Sequence, residues 1–176
     1  MNIKDSNIAI VHDWFLKKSF GGSEKVTLII NDLLNEKYSN PDIFSLTSNL
    51  DNLKIRAMYT PGHTSDSYCF LMDNQLFSGD TLLINGTGRT DFQNGSATAA
   101  YNSIFNKLLK LPEDTLLYPA HDYKGEKVST IGKEKKQNPR LQVNSVDEYV
   151  EIMNNLNLKK PKEIDFNVAK NINLGA

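Results

Sequence analysis

Three histidines occur in the 176-residue chain, and two of them stand where chemistry is readily placed. His63 lies in Thr60-Pro61-Gly62-His63-Thr64 and His121 in Tyr118-Pro119-Ala120-His121-Asp122-Tyr123, each at a strand-to-loop transition beside glycine, proline or acid. Between them Asp80 closes Phe77-Ser78-Gly79-Asp80, where Gly79 lets the backbone turn and leaves the carboxylate at the rim of a sheet. Two imidazoles and a carboxylate suit a divalent metal. A facial set of that kind leaves coordination positions open for a substrate and for dioxygen, as an oxygen-activating iron(II) centre requires. A plainer reading stands beside it: a histidine near a turn is commonly just hydrogen-bonded, and aspartate after glycine often caps the turn. Spacing alone holds the two readings level.

The elements that must position these residues follow from apolar periodicity and turn chemistry. Residues 7–11 form an apolar run ending at His12-Asp13. After Gly21-Gly22, a helical stripe of Val26, Ile29, Ile30, Leu33 and Leu34 begins behind a Ser23 cap. With a short strand at 42–46 this makes a β-α-β segment, and the polar stretch 49–52 reads as a seam. Beyond it come strands at 54–59, 67–72 and 75–77, with Asp73-Asn74 as a hairpin turn, so the three should be antiparallel neighbours. A helix presents Ala100, Tyr101, Ile104, Phe105, Leu108 and Leu109 on one face and stops at Pro112; a strand follows at 115–118. Ser145 and Glu148 have capping-box spacing for a last helix whose stripe is Val146, Tyr149, Val150 and Met153. The basic run Lys133-Glu134-Lys135-Lys136 reads as a solvated helix face.

Composition narrows the partners. The apolar share is 39%, the charged share 23% and the net charge -1, with bases scattered among acids, so nucleic acid is not an expected partner. The single cysteine, Cys69, has no internal disulfide partner and sits in an apolar run, which reads as a buried structural thiol in a reducing compartment. Lacking a basic segment followed by a long apolar stretch, the chain is expected in the cytoplasm and off the membrane. The sequons at Asn85 and Asn94 read as turns.

Taken together, Thr60 to Thr64, Ser78 to Asp80, Gly88-Arg89-Thr90-Asp91-Phe92-Gln93, Tyr118 to Tyr123, Asn138-Pro139-Arg140 and the tail around Pro161 and Ile164-Asp165-Phe166 resemble, in order, the second half of the persulfide dioxygenases, over roughly two thirds of the chain. These are a branch of the metallo-β-lactamase superfamily close to glyoxalase II. The resemblance implies an α/β fold, the C-terminal half of an αββα sandwich, at 53–176. It implies Fe(II) held by His63 and Asp80, with zinc as the alternative. His121 falls at a second metal position that persulfide dioxygenases leave empty, and Arg89 and Tyr123 would hold glutathione. Asp91 and Asp122 are candidates for orienting ligands. The implied reaction is oxidation of glutathione persulfide by dioxygen to sulfite and glutathione.

The motif His-x-His-x-Asp-His, which completes the metal set in that family, does not occur in this sequence. Residues 1–52 are similar instead to the opening of retaining glycosyltransferases with two Rossmann domains, through Ile8-Ala9-Ile10-Val11-His12-Asp13-Trp14 and Gly21-Gly22-Ser23-Glu24-Lys25. His12, on a strand end before a glycine loop, is a further route to the metal. A glyoxalase-II-like thioester hydrolase and a non-catalytic fused remnant are the alternatives. Half a sandwich leaves one apolar sheet face to cover, so a homo-oligomer or marginal folding is expected.

Overall fold

The structure is a computed structural model that describes residues 45–50, 53–92, 94–121 and 125–159. The β-α-β segment read before residue 45, His12 and the glycosyltransferase-like motifs lie outside the described residues, as do Asp122, Tyr123 and the tail motif. Six strands form the main sheet in the order β1-β2-β3-β4-β7-β8, and β5 and β6 form a small second one. The strands are β1 (Ser45–Leu50), β2 (Leu53–Tyr59), β3 (Tyr68–Met72), β4 (Gln75–Gly79), β5 (Leu82–Leu83), β6 (Gly86–Thr87), β7 (Leu116–Pro119) and β8 (Ser129–Thr130). The helices are α1 (Ala97–Asn106), α2 (Ile131–Gln137) and α3 (Val146–Asn154), with 3-10 turns at Leu108–Lys110 and Pro139–Leu141.

Strands β1 to β4 are an antiparallel meander, as alternating apolar residues and the Asp73-Asn74 turn require, with Asp73 in the left-handed region at φ 50°. β4 then pairs in parallel with β7, Gln75 opposite Leu116 and Phe77 opposite Tyr118. Residues 45 and 46 of the strand read at 42–46 belong to β1, which pairs antiparallel with β2.

Alternation puts Met58, Cys69, Leu76 and Leu117 on one sheet face, against Ile104 and Leu108 of the α1 region and Tyr149 and Met153 of α3. Each of these side chains is at most 6% exposed, which makes this the core. The opposite face carries Phe70, Phe77 and Tyr118 side by side, the last two stacked at 5.3 Å. On that face Ala57 and Phe70 are 3% and 6% exposed, while Phe77 and Tyr118 are half-buried.

Helix starts follow capping chemistry. Ser96 accepts from the Ala99 amide, so α1 begins three residues before its apolar stripe. Ser145 caps α3 by accepting from the Glu148 amide, and Glu148 reaches back to the Asn144 amide at 2.7 Å, one residue outside the expected box. Asn85 and Asn94 sit in left-handed turns at φ 55° and 58°. Glu134 corrects the solvated reading of its helix, because it is fully buried. Among the described residues no helix is long and apolar enough to cross a membrane.

Candidate metal centre

His63 occupies the β2–β3 loop, which is seated on α1 by two bonds: Ser103 Oγ donates to the Pro61 carbonyl at 2.7 Å and the Ser96 amide to the Gly62 carbonyl at 2.8 Å. Its ring is fixed from the other side, with Nδ1 2.7 Å from the Arg89 carbonyl oxygen. A carbonyl oxygen only accepts, so this bond requires the proton on Nδ1 and, in the neutral ring, leaves the lone pair on Nε2. Nε2 stands 3.7 Å from Asp80 Oδ2, beyond a hydrogen bond. Two electron-pair donors are thus held side by side.

Asp80 follows Gly79, whose φ of 55° ends β4 in the sharp turn read from sequence. Beneath it Thr60 Oγ1 lies 3.3 Å from Thr81 Oγ1 and 3.2 Å from Cys69 Sγ, and Ser78 Oγ donates to the Leu82 carbonyl at 2.6 Å. Cys69 is fully buried, as expected of a structural thiol, and burial pushes it up to about 11. The Ala120 amide donates to the Gly79 carbonyl at 2.9 Å, tying the ends of β7 and β4 together. That bond brings His121 to Asp80, with Nδ1 2.5 Å from Oδ1.

The three sequence-predicted residues therefore meet at one rim, with Asp80 in the middle. Their donor types fit a divalent cation: an imidazole whose other nitrogen is braced by a carbonyl, beside a carboxylate. Among the described residues no set of three His, Cys, Asp or Glu side chains converges closely enough to hold a metal ion. His63 Nε2 and Asp80 Oδ2 would supply two ligands.

Arg89 divides its roles. Its carbonyl braces His63, while its guanidinium forks onto Asp91 with both N···O distances 2.7 Å, lies 4.2 Å from the Phe92 ring centroid and donates to the Lys159 carbonyl at 3.2 Å. The Arg89 fork holds the Asp91 carboxyl below the usual carboxylate range. Arg89 edges a cleft of about 480 Å³ between the α1 N-terminus and the end of α3, with Thr98, Met153 and Leu158 among its walls.

Sequence reasoning missed the polar block under the β5–β6 hairpin. Glu134 accepts from Ser129 Oγ at 2.5 Å, the Asn85 amide at 2.8 Å and Asn138 Nδ2 at 2.9 Å. Asn138 Nδ2 also donates to the Gly86 carbonyl at 2.9 Å. The signal was available, since Ile131, Glu134 and Asn138 share one helical stripe and Ile131 is buried.

Residues 47–121 match the Metallo-beta-lactamase superfamily. The sheet and helices of the described residues have the α/β metallo-β-lactamase fold. The chain is similar in sequence to persulfide dioxygenases. It is 50% identical over 118 residues to the mitochondrial persulfide dioxygenase ETHE1 of Homo sapiens, spanning 66% of this chain and 46% of that protein. The crystal structure of ETHE1 from Myxococcus xanthus aligns with a TM-score of 0.69 at 46% identity, over 74% of this chain and 58% of that one. A hydroxyacylglutathione hydrolase of Dictyostelium discoideum is 32% identical over 122 residues, 58% of this chain and 43% of that enzyme. The chain spans about half the length of the curated relatives it matches.

Proposed function

We propose that this chain carries half of the metal centre of a persulfide dioxygenase, with one Fe(II) held by His63 and Asp80 and glutathione persulfide as substrate. The observation that carries the reading is the His63 ring, locked by the Arg89 carbonyl so that Nε2 faces Asp80 Oδ2 at 3.7 Å. The iron would supply activation of dioxygen toward the persulfide sulfur, yielding sulfite and glutathione. The protein's part is to hold ligands and orient substrate. Arg89 and Tyr123 are the proposed glutathione contacts, Arg89 by exchanging its Asp91 partner for a substrate carboxylate and Tyr123 by one directed phenol bond. The third ligand would come from His121, His12 or a second copy of the chain, which is the sense in which we propose a homo-oligomer. A reducing compartment such as the cytoplasm suits the buried free thiol of Cys69.

A second reading has its own support. His121 lies 2.5 Å from the oxygen of Asp80 that does not face His63, so a second cation could share this carboxylate. That arrangement suits a glutathione thioester hydrolase of the two-metal type, with zinc as the alternative metal.

The test is anaerobic Fe(II) loading of the purified chain followed by oxygen uptake with glutathione persulfide, beside His63→Ala and a glutathione thioester as second substrate. Oxygen uptake lost in His63→Ala supports the dioxygenase. Thioester cleavage without oxygen uptake supports the hydrolase, and folded protein that takes no iron and consumes no oxygen overturns the first reading.

A further inference from the structure

The Arg89 carbonyl that braces His63 belongs to a segment held from outside the metal rim. Residues 85 to 87 are gripped at every step. The Asn85 amide donates to Glu134 Oε2 at 2.8 Å, and the Gly86 carbonyl accepts from Asn138 Nδ2 at 2.9 Å. The Thr87 carbonyl accepts from Arg140 Nη1, and the Thr87 hydroxyl accepts from Tyr149 at 3.1 Å. The grip is itself cross-linked, because Asn138 also donates to Glu134 at 2.9 Å and its Oδ1 accepts from the Arg140 amide at 3.1 Å. Glu134, Asn138 and Tyr149 are fully buried, so water does not compete for the bonds of Asn138 to Gly86 and Glu134 or of Tyr149 to Thr87.

From this grip the chain passes straight to the metal ligands. A Cβ at Gly88 would stand 1.9 Å from the Asp80 carbonyl oxygen and 3.0 Å from His63 Nδ1, so bare backbone fills the space between the two ligand residues. Arg89 follows, its carbonyl 2.7 Å from His63 Nδ1. Displacing Thr87 moves the peptide planes that touch both ligands.

We infer that Glu134, Asn138, Arg140 and Tyr149 form a clamp that fixes the Arg89 carbonyl and thereby sets the tautomer and orientation of the His63 ring. They are positioning residues and touch no reacting atom. The inference rests on the reading of His63 as a metal ligand for its purpose, though the ring state itself is measurable without metal. Outer partners of a ligating histidine typically change metal affinity about 10- to 100-fold when lost, and a clamp acting through one of them belongs at the lower end.

The test uses the full chain, 15N-labelled and metal-free, with long-range 1H–15N spectra of the histidine rings assigned by His63→Ala. Cobalt(II) titration is a separate readout. The wild-type chain should show His63 as a single tautomer with the proton on Nδ1. Arg140→Met, folded by circular dichroism, should average the His63 ring signals and weaken cobalt(II) binding about 10-fold, while Arg140→Lys should restore the single tautomer. An unchanged His63 pattern in folded Arg140→Met overturns the inference. Should Arg140→Met not fold, Tyr149→Phe removes only the hydroxyl on Thr87. A partial shift of the His63 signals then supports the clamp, and an unchanged pattern overturns it. A chain that binds no cobalt(II) yet shows the tautomer change on Arg140→Met sinks the metal-centre reading and leaves the clamp standing.

Discussion

The segment 85–89 has a polar cluster at each end, and the two use their hydrogen-bonding capacity in opposite ways. At the metal rim, Asp80, His63 and His121 have side chains 24%, 29% and 57% exposed, and His63 Nε2 faces Asp80 Oδ2 at 3.7 Å, beyond a hydrogen bond. Under the hairpin, Glu134 and Asn138 are 0% exposed, and both Glu134 oxygens and the Asn138 amide have donors or acceptors in place. A group with capacity in reserve near solvent can take a ligand. A group whose capacity is spent inside the protein can only hold structure, and removing one member leaves the others unsatisfied.

This contrast can be broken by experiment. The largest effect is expected at the buried end. Glu134→Leu strands three donors and should cost about 3 to 5 kcal/mol of unfolding free energy, whereas Glu134→Gln, able to keep an acceptor for Asn85 and Asn138, should cost about 1. Urea unfolding of both variants measures this, and equal costs would show that the block is not a saturated network.

At the rim the effects should reverse. His63→Ala should weaken divalent-metal binding by about 100-fold or more while changing metal-free stability by only about 1 kcal/mol, read by calorimetric titration and denaturation of the same samples. A stability loss as large as that of Glu134→Leu would erase the distinction.

Cys69, buried on β3 against Thr60 and Ser78, sharpens the comparison. Its pKa is raised from 9.0 to about 11, so the unfolded chain ionises first as pH rises. The stabilisation is fully present below about pH 9 and lost toward pH 11, amounting to about 2 kcal/mol between pH 8 and 10.5. Burial raises Tyr149 as well, so the alkaline limb is shared. Cys69→Ala should flatten it in part, and an identical pH profile would refute the assignment. Smallest of all, Tyr149→Phe should cost about 1 kcal/mol for its one hydroxyl bond to Thr87, measured by thermal denaturation.

The residues at the rim were legible in the sequence because chemistry there is written in residue types. Histidines are scarce in this chain, and His63 and Asp80 are flanked by glycine, which marks a turn at a strand end. The strands from 53 to 79 were legible for a similar reason: alternation and an Asp-Asn turn leave little choice of pairing. Glu134 was not, because three lysines around it make a solvated segment the natural reading, and only its place on the Ile131–Asn138 stripe betrays its burial. The brace on His63 was beyond reach altogether. It is made by the backbone of Arg89, and a carbonyl leaves no signature in a residue's identity. The side chain of Arg89, expected to hold glutathione, forks onto Asp91 at the edge of the cleft.

The parallel pairing of β4 with β7 bears on the order in which the rim comes together during folding. His63 and Asp80 are brought near each other by a meander whose contacts span few residues, and such local pairings form early. His121 arrives with β7, whose partner in β4 lies about forty residues back, across the hairpin and α1. Loop closure over that distance is slower, so a folding chain should pass through a stage in which Asp80 has met one histidine and awaits the other. Pulse-labelled hydrogen exchange would register this as protection of the β3 amides before those of β7.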